Sequence, residues 1–405
     1  MPVKFKDLNL EDKLVEGIEA MGFKETTPVQ EQTIPLILEG RDLIASAQTG
    51  TGKTAAFLLP VINKIMNLPH DEFVKALIIV PTRELATQID QQLEGLSYYT
   101  SISSLAVYGG GDGSEFSQEK KALMNGADII IGTPGRLIAH LNMGYVKWDK
   151  LGFLILDEAD RMLDMGFNED IMKIVNKLPK ERQSLMFSAT MPNKIRDLAR
   201  KLLKNDPAEI NIAISKPAER VVQVAFSVYD TQKIELVKHL LKAKKLQSVI
   251  IFCSTKSSAK ALNRELKKHD IASEEIHSDL DQKERENVLR SFKNKKLNVL
   301  VATDILSRGI DVEDIELVIN YDVPNEGEDY IHRIGRTARA ASKGAAFTFV
   351  NEKEQRKFYQ IEELLGDPVP KAKLPAHLGE GPVYDPSKFT RSSNRKSKSR
   401  NSKRN

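Results

Sequence analysis

Short apolar runs recur along the first half of the chain: Leu43-Ile44-Ala45, Ala76-Leu77-Ile78-Ile79-Val80, Ile129-Ile130-Ile131, Phe153-Leu154-Ile155-Leu156 and Leu185-Met186-Phe187. Each run is continuous rather than alternating, is bounded by turn-forming residues, and is followed by a stretch with helical periodicity. A strand covered on one face alternates apolar and polar positions. A continuous run requires cover on both faces, so the pattern predicts parallel strands with helices packed on each side. The same grammar resumes beyond residue 220 with Val249-Ile250-Ile251-Phe252, Val299-Leu300-Val301, Leu317-Val318-Ile319 and Phe347-Thr348-Phe349. Two α/β domains are therefore expected, over residues 1–206 and 221–367. A linker is expected at 207–220, where Asn205-Asp206-Pro207 and Ser215-Lys216-Pro217-Ala218-Glu219 supply helix-breaking and turn chemistry.

The length of 405 residues suits two domains, each able to hold a full core. With 41% hydrophobic and 29% charged residues, a wholly disordered or fibrous chain is excluded. Cys253 is the single cysteine, which excludes an intrachain disulfide and argues against a cysteine-built zinc site. It and Trp148 read as packing residues. No apolar run approaches the roughly 18 residues of a membrane span, so a cytoplasmic protein without a membrane partner is expected. The net charge of +4 is unevenly spread. Residues 371–405 carry ten Lys and Arg against Glu380 and Asp385, a net of +8 that leaves the preceding 370 residues at −4. Pro368, Pro370, Pro375 and Pro382 give way there to Ser, Asn, Lys and Arg, so residues 368–405 are expected to form a disordered basic tail. Such a tail suits non-specific tethering of a polyanion, or solubility alone.

Distinctive polar clusters follow nearly every apolar run, and in open parallel sheets the loops at the carboxyl ends of strands bind ligands. After the first run stands Ala47-Gln48-Thr49-Gly50-Thr51-Gly52-Lys53-Thr54. Glycines permit the curl that turns backbone N–H groups toward a phosphate, Lys53 reaches the β/γ-phosphates, and the Thr54 hydroxyl suits Mg²⁺. Ala47 replaces the usual first glycine, and a glycine turn before a helix is the plainer alternative. The fourth run ends in Asp157-Glu158-Ala159-Asp160. Any one of these acids could merely cap a helix, but three in four residues behind a buried strand suit the second half of a nucleoside triphosphatase site.

Asp157-Glu158-Ala159-Asp160 resembles the name-giving motif of the DEAD-box RNA helicases, and the resemblance runs from about Phe5 to Phe349. Further motifs stand in the family's order: Gly22-Phe23 with Thr27-Pro28-Val29-Gln30, Pro81-Thr82-Arg83-Glu84-Leu85-Ala86, Gly109-Gly110, Thr133-Pro134-Gly135-Arg136 and Ser188-Ala189-Thr190. The second half continues with Ile251-Phe252-Cys253, Gln282 and Arg285, Ala302-Thr303-Asp304 with Arg308-Gly309-Ile310-Asp311, and His332-Arg333-Ile334-Gly335-Arg336-Thr337-Ala338-Arg339.

The resemblance implies two tandem RecA-like domains and an ATP-dependent RNA helicase of compact bacterial type, with ATP and Mg²⁺ as cofactors. It implies that Gln30, within a motif at about 3–31, reads adenine, that Phe5 stacks on the base unless it simply packs, and that Asp311 contacts the ribose. Thr54 and Asp157 would hold Mg²⁺, largely through water, and Glu158 would orient the attacking water. Arg336 and Arg339 would come from the second domain to the γ-phosphate, their i, i+3 spacing suggesting one helix face. Asp160, Ser188, Thr190, His332 and Arg333 would couple ATP state to RNA grip. Ser or Thr capping of a helix beginning near Met191 is compatible with that role. RNA would be held by Pro81, Thr82, Arg83, Gly110, Thr133, Gly135 and Arg136 in the first domain. Gln282, Arg285, Thr303, Arg308 and Gly309 would hold it in the second. The implied output is hydrolysis between the domains coupled to local unwinding of short duplexes or remodelling of ribonucleoproteins. An ATP-gated RNA clamp uses the same motifs, and a processive DNA translocase is the more distant alternative. The chain reads as a monomer with ribosome-assembly or RNA-decay proteins as possible partners. Two departures stand out: Ala338 where many members have glycine, and the glycine-rich Gly109-Gly110-Gly111-Asp112-Gly113-Ser114.

Overall fold

The computed structural model describes residues 3–47, 50–110, 113–204, 206–212, 221–243, 246–303, 315–337 and 344–388. The chain divides into two compact units, Met1–Ser215 and Lys216–Asn405. The first holds strands β1 (Leu43–Ser46), β2 (Ala76–Ile79), β3 (Ser104–Val107), β4 (Ile129–Gly132), β5 (Phe153–Leu156), β6 (Gln183–Ser188) and β7 (Ala208–Asn211). They form one sheet in the order β3-β4-β2-β5-β6-β1-β7, and every pairing is parallel. The second holds β8 (Val221–Ser227), β9 (Val249–Cys253), β10 (Ser273–Ile276), β11 (Val299–Thr303), β12 (Leu317–Asn320), β13 (Gly344–Val350) and β14 (Lys371–Ala372). Its order, β10-β11-β9-β12-β13-β8-β14, is again all parallel. Counted from its own first strand it repeats the permutation of the first sheet.

The continuous apolar runs are explained by where their side chains go. In β2, Ala76 and Ile78 enter the core beneath helices Pro28–Leu38 and Lys53–Met66, while Leu77 and Ile79 enter the core beneath Pro134–Asn142 and Asn168–Val175. In β9, Ile250 and Phe252 serve one core, and Val249, Ile251 and Cys253 the other. Each fully buried Leu or Ile contributes about 1.5–3 kcal/mol, so exchanging any of these for a polar residue would be severe on either face. Cys253 is fully buried, and burial pushes its thiol up to about 12, as befits a packing residue. The runs missed by inspection are largely the edge strands. Those at β3, β7 and β10 read Ser-Leu-Ala-Val, Ala-Glu-Ile-Asn and Ser-Glu-Glu-Ile, because an edge needs less cover. No helix among the described residues is long and apolar enough to cross a membrane.

Both expected domain ends require correction, for one reason. Residues 208–211 are not linker: Ala208 to Asn211 pair with Leu43 to Ser46, and Ala208 and Ile210 pack into the first core. The Asp206-Pro207 break therefore lies inside the first domain, and residues 213–220 lie outside the described residues. Nor does the second domain stop at residue 367. Gly366, at φ +78°, closes helix Gln355–Leu365, and the chain then returns across the sheet. Val369 is buried, and Lys371 and Ala372 pair with Ala225 and Phe226 of β8. The Glu362 carboxylate gathers the return strap by accepting from Val369 N at 2.8 Å, from Lys371 Nζ and from Tyr384 Oη. Gln232 Nε2 holds Leu378 O at 2.7 Å, and the Tyr384 ring packs edgewise on Phe358. A segment too polar to make a core folds by borrowing a finished one. The rest of the expected tail, residues 389–405, lies outside the described residues.

Ending the chain at Pro370 should therefore destabilise the second domain by about 2–4 kcal/mol through loss of β14 and the Tyr384 anchor. Ending it at Lys388 should leave stability unchanged. Denaturant midpoints of the two truncations measure the difference, and equal midpoints would contradict the strap.

Candidate functional site

Parallel pairing brings all carboxyl ends of the first sheet to one edge, in the order of the strands. Across it lie the Gly110 loop after β3, Thr133 to Arg136 after β4, Arg83 after β2, Asp157 to Asp160 after β5, Ser188 to Thr190 after β6, and the glycine loop after β1. The predicted nucleotide groups occupy the β5-β6-β1 half and the predicted RNA groups the β3-β4-β2 half.

Gly50 and Gly52 adopt φ of +83° and +89°, and Gly52 caps helix Lys53–Met66, so Lys53 and Thr54 open that helix. Lys53 is buried and donates from Nζ to Ala47 O at 2.7 Å, while Ala47 N donates to Ser188 O at 3.0 Å. Gln30 stands in the first turn of helix Pro28–Leu38, where its Oε1 accepts from Thr27 N at 2.9 Å. Its Nε2 donates to Gly52 O at 3.0 Å, fastening the helix to the glycine loop. One N–H and one lone pair of the amide remain for a ligand. A Cβ on Gly52 would fall 2.4 Å from Gln30 Nε2. Phe5 is buried against Phe23, with ring centroids 6.4 Å apart, and packs into the first core. Gln48 and Thr49 lie outside the described residues.

Asp157 is 3% exposed and accepts from Glu158 N at 2.9 Å. Burial pushes its carboxyl up to about 6; Lys53 pulls it down and Glu158 adds to the rise. Glu158 has φ +51°, an uncommon conformation for a side chain of this size, and its carboxylate accepts from Arg161 Nη1 at 3.2 Å. Nothing in the motif reading singled out Arg161, although its i+3 spacing from Glu158 was visible. Asp160 Oδ1 accepts from Arg161 N, and its Oδ2 accepts from Ala189 N at 3.1 Å, Thr190 N at 3.0 Å and Thr190 Oγ1 at 3.1 Å. Ser188 Oγ donates to Thr190 O at 2.7 Å. A hydrogen-bonded path therefore joins the glycine loop through Ser188 and Thr190 to the acids. The capping expected of Ser188 or Thr190 is not made, because the helix begins later, at Asn193, behind Pro192.

On the other half of the edge, Thr82 caps helix Arg83–Leu96 by accepting from Leu85 N at 3.3 Å. The Arg83 guanidinium lies 4.6 Å from the Tyr108 ring centroid, and Gly110, at φ +97°, leaves room for it: a Cβ there would be 2.4 Å from Arg83 Nη1. Pro81 is buried, Thr133 precedes helix Pro134–Asn142, and Gly135 is exposed in its first turn. Arg136 donates from Nε to Glu119 Oε2 at 2.7 Å. Gly111 and Asp112 lie outside the described residues.

In the second unit Thr303 ends β11, and Arg285 projects from helix Gln282–Lys293 to donate to Ser278 O at 3.1 Å. Gln282 opens that helix. Arg333 is fully buried, donating to Asn320 Oδ1 at 3.1 Å and Asp322 O at 3.0 Å and lying 5.1 Å from the Phe252 ring centroid. His332 and Arg336 are also buried, and Arg336 Nε donates to His332 O at 3.3 Å. The helix expected to carry Arg336 and Arg339 ends at Ile334 with Gly335 as its cap. Thr337 then bonds to Ile315 O and bridges to it, so Arg336 stands beyond the end of the helix. Arg308, Gly309, Asp311 and Arg339 lie outside the described residues.

Among the described residues, the buried side-chain atoms without a hydrogen-bond partner include Arg83 Nε, Arg136 Nη2, Arg285 Nε and Thr303 Oγ1, all predicted RNA ligands, and also atoms outside that set such as Arg182 Nε and Gln183 Oε1. Buried polar atoms are nearly always paired, so those at the strand-end residues suit a polar ligand.

Two family models match the chain, DEAD/DEAH box helicase over residues 27–198 and helicase conserved C-terminal domain over residues 232–341. A Listeria monocytogenes protein named ATP-dependent RNA helicase CshA is 45% identical over 361 residues, covering 89% of this chain and 68% of that protein. Its Geobacillus kaustophilus namesake, DEAD-box ATP-dependent RNA helicase CshA, is 41% identical over 88% of this chain and 76% of its own. Among solved structures, S. cerevisiae Dbp5 bound to RNA and ADP BeF3 superposes with TM-score 0.81 at 30% identity, over 97% of this chain and 99% of that one. Mss116p bound to ssRNA and AMP-PNP gives TM-score 0.83 at 30% identity, over 93% and 81%.

Gly52→Ala should force Gln30 off the glycine loop and strain the backbone, weakening binding of a fluorescent ATP analogue by at least about tenfold. Wild-type affinity would show that the Gln30–Gly52 bond is dispensable.

Proposed function

The chain belongs to the DEAD/DEAH box helicase family, and from that premise we propose that it is an ATP-dependent RNA helicase separating short RNA duplexes locally. The observation that supports the RNA assignment is that buried donors of Arg83, Arg136, Arg285 and Thr303 have no partner among the described residues. Such donors suit phosphate and sugar oxygens, which fix register without reading sequence. Selection of RNA over DNA then falls to the 2′-OH and backbone shape.

ATP suits the other half of the edge. The glycine loop ahead of helix Lys53–Met66 suits the phosphates, and Lys53 would exchange Ala47 O for a phosphate oxygen. The remaining donor and acceptor of Gln30 suit adenine. Thr54 and Asp157 would hold Mg²⁺, Asp157 largely through water. The fit is chemical: burial has raised Asp157, and a dication draws such a carboxylate back to its charged form. When bound, Mg²⁺ neutralises phosphate charge.

Glu158, held by Arg161, orients the attacking water, and Arg336 with Arg339 offsets the charge that builds on the transferred phosphoryl group. These groups come from both units, so turnover needs both to engage one nucleotide. RNA ligands are divided in the same way, and RNA therefore favours the engaged state. The Asp160–Thr190–Ser188 path links the acids to the glycine loop and suits transmission of nucleotide state.

Glu158→Gln should retain ATP binding, abolish turnover and trap RNA; an undiminished hydrolysis rate would remove Glu158 from the chemistry. Arg339→Ala should cost on the order of 10³-fold in turnover if it acts as an arginine finger, and a loss below about tenfold would exclude that role. Truncation after Lys388, which spares the strap, should weaken RNA affinity and flatten its salt dependence without altering turnover at saturating RNA. An unchanged salt slope would leave the tail as a solubility element.

A further inference from the structure

We propose that Phe116, Glu119 and His140 are positioning residues that hold the Arg136 guanidinium ready for an RNA phosphate. The proposal rests on the reading of Arg136 as an RNA ligand. None of the three belongs to a motif singled out above.

Arg136 and His140 lie one turn apart on helix Pro134–Asn142, and Phe116 and Glu119 lie one turn apart on helix Gly113–Asn125, so each helix presents a pair to the other. The Phe116 ring sits between the two side chains of the opposing helix. Its centroid is 4.5 Å from the Arg136 guanidinium carbon and 4.4 Å from the His140 ring, to which it is parallel within 7°. Glu119 Oε2 runs along the side of this stack and accepts at both ends, from Arg136 Nε at 2.7 Å and from His140 Nε2 at 2.7 Å. Tyr145 Oη closes the far end on His140 Nδ1. The two ring nitrogens of His140 are thus both engaged, Nε2 by the carboxylate and Nδ1 by the phenol.

Burial would raise the Glu119 carboxyl, but hydrogen bonds from His140 and Arg136 outweigh it and hold the group below its usual range. It therefore stays a charged acceptor. Glu119 and His140 are 8% and 1% exposed, so little solvent competes for these bonds.

The consequence falls on Arg136. A free arginine side chain samples many rotamers, and binding would otherwise have to offset the entropy lost in fixing one. Here Nε and one face of the guanidinium are already engaged, which fixes its plane and leaves the terminal nitrogens to a ligand. Nη2 is buried without a partner among the described residues. Arg83 is held more simply, on the Tyr108 face and beside Gly110. Arg136 alone of the two is braced by a charged hydrogen bond.

The test is RNA-stimulated ATP hydrolysis by the full chain with a single-stranded RNA oligonucleotide, comparing Glu119→Ala, Glu119→Gln, Phe116→Leu, Arg136→Ala and the Glu119→Ala/Arg136→Ala double variant. Glu119→Ala should raise the RNA concentration for half-stimulation about tenfold with turnover at saturating RNA unchanged. Glu119→Gln, which keeps an acceptor for Nε, should recover part of the loss. The double variant should be no weaker than Arg136→Ala alone, since a residue acting through Arg136 has nothing left to act on. Phe116→Leu, which spares the Glu119–His140 pair, serves if Glu119→Ala does not fold, and should raise half-stimulation about threefold. Losses from Glu119→Ala and Arg136→Ala that simply add, or an unaffected Phe116→Leu, would overturn the positioning role while leaving Arg136 an RNA ligand. An Arg136→Ala variant with unchanged half-stimulation would overturn the RNA reading itself, and the positioning role with it.

Discussion

Every central strand of both sheets must bury side chains on two faces at once, and the placement of chemistry follows from that constraint. A polar or charged group on Ile78, Leu154 or Ile250 would enter a packed core with nothing to pair with. Polar residues are therefore displaced to the strand ends, and parallel pairing delivers all the carboxyl ends to one edge. Strand order then decides neighbours. Because β6 lies between β5 and β1, the Ser188–Thr190 segment sits between the acids and the glycine loop, and it hydrogen-bonds to both. No separate connecting element is needed.

The repeated strand permutation extends this to the second unit. The predicted RNA residues of the first domain follow β3, β4 and β2; those described in the second, Gln282, Arg285 and Thr303, follow β10 and β11, the third and fourth strands of their own sheet. Corresponding edges carry the predicted residues of both units. The repetition also explains β14. It is the counterpart of β7, a final edge strand laid beside the first strand of its domain, and both were misread because each comes after a proline break that looked like an end.

What was legible in the sequence was whatever depends on local constraint. Two-sided burial announces central strands, and the glycine loop and acid cluster announce their chemistry through residue types that have few other reasons to occur together. Edge strands such as Ser273–Ile276 were invisible because half-exposed positions tolerate Glu. The bound on the last helix was misjudged because the i, i+3 spacing of Arg336 and Arg339 outweighed Gly335, whose end of helix is fixed by a long-range bridge from Thr337 to Ile315. Glu119 was missed for a similar reason. Its contacts with Arg136 and His140 span 17 and 21 residues and leave no mark on local pattern.

Charge shows most clearly how far composition falls short of placement. The first 370 residues carry a net −4, so bulk attraction cannot bring a polyanion to this body. On the proposed reading, RNA binding would have to rest on individual cations whose own acids are turned away from the ligand. Arg136 illustrates the solution: Glu119 neutralises it by formal count, yet the carboxylate engages Nε alone and leaves the terminal nitrogens directed elsewhere. An acidic partner that lowers the net charge can thus improve a phosphate ligand, because it exchanges unspecific attraction for orientation. Orientation survives salt better than attraction does, since a partly buried contact is screened less than a surface field. The eight cations from Lys388 onward, with no acid among them, would have the opposite character. On the proposed reading, placed arginines would grip and the charged run would gather, so that salt would modulate encounter while geometry sets the grip.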